Sequence, residues 1–518
     1  MFQDLEHYFR GMLSSFTPDL LKIFMNTFNV LFLCTLFIIC ASIYNAWNLP
    51  PGPWGLPFLG SLPWMGRGAP HSWLLQQAAL YGDLTSVQLG SNLMVCIGSS
   101  RILRDLFNRP DSISRPHTPL NNLLCGRGIV LSEGLLWRKQ RQFLHEKFRA
   151  LGASSVGINQ RFEHCVMVEI EELLAKFQST REQPIDPTNV LGRHVHNVIC
   201  QLMMSFRFKE QDPEFKTFNE RVTKGMELYG AIHIGEHVPA YLYLPGKKSV
   251  LKEIRRNLQD VSEFHVRKVT ERRRQLLGIN MDHHEPADLL DYYLLELRKN
   301  SAGSKLFDGV DPDEQIVQVF NDLFSAGMET VRTSLLWALL MMLRNPSVEA
   351  TVRAALAEVL EPGQLVTLDH RARLYYIEAV LYETLRMVSV VPLGTTHVNS
   401  SVWNVNGYNI PAGTHLVPLL NKINMDPEFF PDPNNFTPER FIKDGKVELP
   451  DTFIPFGVGR RLCLGEQMAK TEIFLFFANI MNGYKFYLPE GEPMPELEGV
   501  MATFHAPLPY KLCFKKIE

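Results

Sequence analysis

The chain has 518 residues, 46% of them hydrophobic and 21% charged, with a formal net charge of −3. That length allows several average domains or one large α-rich core, and the near-neutral balance leaves no electrostatic footprint for nucleic acid. Eight cysteines, at positions 34, 40, 96, 125, 165, 200, 463 and 513, share no repeated spacing, which excludes a disulfide framework and fits a reducing compartment.

From Ile23 to Gly66 no residue is charged, and FNVLFLCTLFIICASIY (28–44) is almost continuously apolar. Roughly 20 residues cross the hydrocarbon core of a bilayer. A cleaved signal peptide would have a shorter apolar region, a more basic start and a small-residue cleavage site; here Asp4, Glu6 and Asp19 precede the run and Trp47 follows it. A buried core helix is the other ordinary reading. We therefore expect a retained single-pass anchor within residues 1–48, spanning about 23–44. Arg10 and Lys22 precede the span and the next basic residue after it is Arg67, so the positive-inside rule mildly disfavours a cytosolic body, whereas cysteine usage favours one.

LPPGPWGLPFLGSLP (49–63) follows at once. Its prolines fix φ and push preceding residues out of the helical region, so 49–66 reads as a stiff hinge. Beyond it no Ser/Gly linker, low-complexity tract or repeat occurs, and 67–518 is expected to fold as one unit. Apolar positions at helical spacing predict helices over 157–177, 250–278 and 312–344, the last uncharged from Thr333 to Leu343 and ended by Asn345-Pro346. Alternation predicts strands over 84–97, 401–418 (with Asn406-Gly407 as a turn) and 509–515. The fold class is mainly α with a small β portion.

Near the C-terminus, FIPFGVGRRLCLGE (453–466) sets Cys463 among glycines, arginines and phenylalanines with no second Cys or His at metal-ligand spacing. The pattern Phe456-x-x-Gly459-x-Arg461-x-Cys463-x-Gly465 arises by chance on the order of once in ten thousand chains. Glycines let backbone approach a flat ligand, Arg461 can meet an anion, and a thiol just before a helix (466–482) gains from the helix dipole. A lone Cys is more often an inert buried residue; a thiolate without a second protein ligand suits the axial position of a heme iron.

This segment resembles the heme-ligand loop of the cytochrome P-450 monooxygenases, and the resemblance extends from Pro50 onward. Glu383-x-x-Arg386 in YIEAVLYETLRM and Arg440 in FTPERF are similar to the family's buried Glu-Arg-Arg cluster, a structural support for the ligand loop. Ala326-Gly327-x-Glu329-Thr330, in DLFSAGMETVRTSLLW, resembles the dioxygen-binding motif. There Gly327 admits dioxygen to the backbone, and Thr330, bonded back toward the Ala326 carbonyl, relays protons with Glu329. Trp137-x-x-x-Arg141 resembles the propionate-binding helix; Arg115 and His397 fall where microsomal members place further propionate contacts, and Arg461 joins them. Phe456 covers the sulfur side.

The resemblance implies heme b (iron protoporphyrin IX), electrons from NADPH through an NADPH-cytochrome reductase, and hydroxylation of a substrate with release of water. Arg138, Lys139, the run His145 to Arg149, Arg371, Arg373 and Arg460 form a candidate docking face for the acidic reductase, or an ordinary solvated surface. Phe320, Phe324, Ala326, Val391, Leu393 and Thr503 are expected as pocket walls. Being mostly apolar, they favour a sterol, fatty acid, terpenoid or xenobiotic. Residues 227–246 (ELYGAIHIGEHVPAYLYLPG) are expected to include a lid on the bilayer. VQVFNDLFSAGMETVRTSLLW, VPLGTTHV and the Cys463 loop most resemble the arthropod ecdysteroid side-chain hydroxylases. A microsomal (endoplasmic reticulum) location with a cytosolic body follows. Rival readings are a heme-thiolate isomerase, which predicts loss of the acid–alcohol pair, and a heme-binding sensor without turnover.

Overall fold

The computed structural model describes residues 27, 29, 30, 32, 33, 48–65, 70–119, 121–124, 126–153, 160–277, 285–299, 305–501 and 504–517. The expected span 23–44 lies almost wholly outside them, and no described helix is long and apolar enough to cross a membrane. Thr503 also lies outside.

Helices dominate in chain order: α1 Pro70–Tyr81, α2 Ser100–Phe107, α3 Gly134–Ala150, α4 Gln160–Ser179, α5 Pro187–Met204, α6 Pro213–Ile232 and α7 Lys247–Gln275. Then come α8 Leu289–Lys299, α9 Pro312–Arg344, α10 Pro346–Val359, α11 Tyr375–Val388, α12 Leu420–Asn424 and α13 Glu466–Gly483. The predicted helices correspond to α4, α7, α9 and α13 within a few residues.

The central helix α9 shows why its sequence is helical. Asp311 caps it by accepting from the Glu314 N–H, Pro312 stands at the first turn, and Asn345-Pro346 ends it. At 33 residues it runs roughly 50 Å. Twenty of its side chains are buried, and it packs against α5, α7, α11 and α13. A helix apolar on nearly every face can be stable only inside such a bundle.

The β portion is small. Strands β1 Leu84–Leu89, β2 Asn92–Ile97, β3 His397–Val398 and β6 His415–Pro418 form a sheet ordered β1-β2-β6-β3. Leu84 pairs with Ile97 in the antiparallel β1/β2 hairpin, and β2 runs parallel to β6 with Met94 opposite His415. β4 Trp403–Val405 and β5 Tyr408–Ile410 close on Asn406 and Gly407, both at positive φ (51° and 84°), the geometry Asn-Gly hairpins adopt. An isolated bridge from Ser114 to Val398 sets the Arg115 stretch beside β3.

Candidate active site

Cys463 closes a tight loop: its N–H donates to the Phe456 carbonyl at 3.1 Å, Leu462 N–H reaches Gly459 O at 3.1 Å, and α13 starts three residues later. Gly457 and Gly459 lie at φ +78° and +79°, a region closed to most L side chains. A Cβ on Gly459 would sit 2.2 Å from the Phe107 carbonyl oxygen. This corrects the expectation that this glycine admits a flat ligand, because the space it vacates is filled by α2 backbone. Gly459→Ala is accordingly expected to cost at least ~2 kcal/mol through strain and clash together, measured as a lowered denaturation midpoint; an unchanged midpoint would refute this packing.

The Cys463 side chain is accessible, yet burial pushes its pKa up, with Glu466 adding to the rise while the Gly465 N–H and the Arg141 charge oppose it. The helix terminus alone therefore does not make a thiolate here, and a bound cation would. Accessibility also surfaces in the middle of α9, at Ser325 and Ala326, although the turns on either side are largely buried. Ser325 and Ala326 on α9 and Cys463 in its loop are thus accessible positions inside otherwise buried elements.

Below the loop, Glu383 and Arg386 are fully buried. Arg386 Nε and Nη2 donate to Glu383 Oε2 and Oε1 at 2.7 and 2.8 Å, and Arg440 Nε reaches Oε1 at 3.1 Å. Arg386 Nη1 also holds the Asn424 carbonyl at 3.2 Å, and Asn424 Oδ1 accepts the Ile454 N–H at 3.4 Å. The cluster thus reaches the first residues of the Cys463 loop, as the expected structural role requires.

On α9 the Thr330 hydroxyl donates to the Ala326 carbonyl at 2.7 Å, as expected. Glu329 is not bonded to Thr330. It is buried, its pKa is raised by burial, and it is paired with Arg332 one turn on, a partner the motif did not include. Gly327 is also corrected: its Cβ direction meets Ile199 Cγ1 of α5 at 2.8 Å, so it serves helix packing. Phe320 and Phe324 are wholly buried against His265, and Phe324 also meets His196 at 4.1 Å. They wall no space. At 100° per residue Phe324 stands about 200° from Ala326, on the opposite face; Leu323 and Thr330 share Ala326's side. Val391 and Leu393 are half-buried and Thr395 is exposed.

Three guanidiniums gather beside the loop. Arg461 lies 4.2 Å over the Trp137 ring and Arg141 5.8 Å from it. Arg141 Nη2 donates to the Leu462 carbonyl at 2.5 Å. Arg115 donates to the Val130 and Thr396 carbonyls at 2.9 and 2.8 Å. Burial, with Arg141 adding to it, brings Arg115 down to about 10 despite Glu133. Burial and Arg115 bring Arg461 down to about 8. His397, stacked on Phe107 at 3.9 Å, is held well below the usual imidazole range by burial and both arginines, and its buried Nδ1 has no partner among the described residues.

Glu133 is the one described carboxylate whose charge offsets Arg115 and Arg461. Buried cations in excess call for an anion, and an orphaned imidazole nitrogen calls for a polar partner. A heme with its propionates fits both demands and the accessible thiol. Arg461 itself is corrected. Its Nε and Nη2 donate to Ile113 O at 3.0 and 2.7 Å, Nη2 also to Ser132 O at 2.6 Å, and Nη1 to Ile129 and Val130 O at 3.4 and 3.3 Å. Spent on carbonyls, it is a strut, and Arg115, Arg141 and His397 remain for an anion.

On the surface, Arg138, Arg149, Arg373 and Arg460 are exposed. Lys147 and Arg371 are tied to Glu146 and Glu378 at 2.5 and 2.6 Å.

Comparison with known proteins accords with this site. The Cytochrome P450 family model matches residues 50–514. Cytochrome P450 18a1 of Drosophila melanogaster is 41% identical over 474 residues, covering 90% of this chain and 87% of its own. Rat cytochrome P450 2U1 is 32% identical over 516 residues, 94% and 95% of the two chains, and human cytochrome P450 2D6 is 32% identical over 482 residues, 90% and 93%. The family's cofactor is heme b, reduced by NADPH through a reductase. With an accessible thiol in the 453–465 loop and a match over nearly its whole length, the chain belongs to the cytochrome P450 family of monooxygenases.

Proposed function

We propose that the chain hydroxylates a hydrophobic molecule, an ecdysteroid or other steroid on its side chain, with dioxygen and electrons from NADPH delivered by an NADPH-cytochrome reductase. The observation that carries this reading is the accessible Cys463 thiol set beside three arginines in charge excess. Cys463 would ligate the iron; Arg115, Arg141 and His397 would hold the propionates, and Trp137 would brace Arg141 and Arg461. When bound, heme supplies the activation of dioxygen. Thr330 Oγ1 would hold a proton beside Ala326, and Glu329, kept in place by Arg332, would exchange protons with it. The half-buried Val391 and Leu393 would turn an apolar face to the substrate and exclude water. Exposed Arg138, Arg149, Arg373 and Arg460 suit an acidic reductase surface.

The steroid assignment draws on the resemblance of the central-helix and Cys463 segments to ecdysteroid side-chain hydroxylases. Higher identity to the fly relative (41%) than to the rat and human ones (32% each) supports an arthropod lineage of substrate. Difference spectra screened over ecdysteroids, fatty acids and terpenoids, followed by turnover with reductase, test it. A spectral shift and hydroxylated product only with fatty acids would reassign the substrate. Binding without product from any class would favour a heme sensor.

Anchor (1–48), hinge (49–66) and body (67–518) would place the enzyme on the cytosolic face of the endoplasmic reticulum. Trp54, Phe58 and Tyr243 are 80%, 83% and 84% exposed. The β1–β2 turn joins their segments through Gly90 N–H to Leu59 O (3.0 Å) and Ser91 N–H to His237 O (2.9 Å), which suits one apolar rim on lipid. Two Asn-x-Ser/Thr sequons report topology unequally. Asn399 is fully buried, its amide donating to the Ser401 and Pro411 carbonyls at 2.7 and 2.8 Å, whereas Asn435 is exposed. Asn435 is expected to stay bare in insect-cell protein; a glycan there by mass spectrometry would place the body in the lumen.

A further inference from the structure

Arg115 and its strut Arg461 hang on carbonyls of the segment 113–132, and that segment is fixed from the central helix. Gln315 binds both backbone groups of Gly128: the Gly128 N–H donates to Oε1 at 3.0 Å and Nε2 donates to the Gly128 carbonyl at 2.9 Å. Two turns on, Asp322 Oδ2 accepts the N–H groups of Ile129 and Val130 at 2.7 and 2.9 Å. Its other oxygen takes Gln318 Nε2 at 2.8 Å. Seven residues apart, Gln315 and Asp322 share one face of α9, and both are buried. Gly128 lies at φ +82°, and a Cβ there would fall 2.2 Å from Asp322 Oδ2, so loop and helix meet with no room for a side chain.

Ile129 and Val130, which give their N–H groups to Asp322, turn their carbonyls to the arginines. Ile129 O and Val130 O accept from Arg461, and Val130 O also takes Arg115 Nε at 2.9 Å. Ser132, whose carbonyl holds Arg461 Nη2, is itself tied by its hydroxyl to the Gly128 carbonyl at 2.7 Å. A shift of this backbone would move both guanidiniums together.

We propose that Gln315 and Asp322 are positioning residues for the anion cradle: acting through the 128–130 backbone, they set where Arg115, braced by Arg461, meets the acidic edge of the heme. The proposal rests on the heme reading above. Its experiment uses the full-length holoprotein and follows heme transfer to an excess of apoglobin, with resonance Raman bands of the propionates as a second readout. Asp322→Ala and Gln315→Ala are expected to lose heme roughly tenfold faster or more, since each strands buried backbone groups, and to shift the propionate bands. Asp322→Asn, which keeps an oxygen toward Ile129 and Val130, is expected to restore the wild-type rate. The carbon monoxide band stays in place in all three, because Cys463 is untouched. Transfer within about twofold of wild type in both alanine variants, with unmoved propionate bands, overturns the proposal. If Asp322→Ala does not fold, Gln315→Ala carries the comparison. A wild-type protein that binds no heme would sink the functional reading instead.

Discussion

Cys463→Ser protein is expected to fold, and its reduced form to lack the low-energy carbon monoxide band that a thiolate ligand produces. The backbone bond that shapes the loop, from Cys463 N–H to Phe456 O, is indifferent to the side chain, and the side chain is accessible, so the stability change should stay within about 0.5 kcal/mol. Function should fail completely. A serine hydroxyl stays protonated where a thiol coordinated to iron does not, and without the thiolate the electron density that favours O–O cleavage is gone. Spectra of the reduced, carbon monoxide-saturated variant check this, and persistence of the wild-type band would remove Cys463 from the ligand position.

A second large effect concerns folding. Glu383→Gln leaves Arg386, wholly buried, and Arg440 facing a neutral amide, and breaking a buried ion pair by removing one partner costs about 3–5 kcal/mol. For a protein of ordinary marginal stability that is a large fraction of the whole. Arg386→Leu should behave alike, since it also frees the Asn424 and Pro433 carbonyls. Arg440→Lys should cost less, Arg440 being partly solvated and bonding three carbonyls at the rim. Chemical denaturation of the three variants, with heme content measured alongside, ranks them. Wild-type midpoint and heme content in Glu383→Gln would refute a supporting role for the cluster.

Elements with strong local signals were legible in the sequence. Helix α9 announces itself by its cap, its unbroken apolar run and its terminal Asn-Pro, and the β4–β5 turn by Asn-Gly. The Cys463 loop could be read because several unusual residues recur at short spacing, whereas Glu383 and Arg386, an ordinary i, i+3 pair, could be read only from the resemblance. What failed was the direction of side chains on a helix buried all round. Phe320 and Phe324 look like pocket residues until the helix is seen to face neighbours on every side, where no polar face marks the inward direction. Gly327 and Gly459 could not be assigned either, because the object each approaches, Ile199 or the Phe107 carbonyl, is remote in sequence. Asp322 and Arg332 were passed over, though a charged residue within an apolar helix demands a partner. The partner of Asp322 is backbone about 190 residues earlier, which no local pattern displays.

The mutual repulsion of Arg115, Arg141 and Arg461 bears on how the protein is assembled in the cell. Bringing those charges together under cover is uphill until something acidic arrives, so the Arg115 stretch and the Cys463 loop are expected to settle more firmly once their cofactor is bound. Heme supply during synthesis would then govern yield, and chains made under heme shortage would stay open at this seam, where proteases begin. Arg115 and Arg141, with Arg461 as their strut, would thereby act as a quality gate on cofactor delivery.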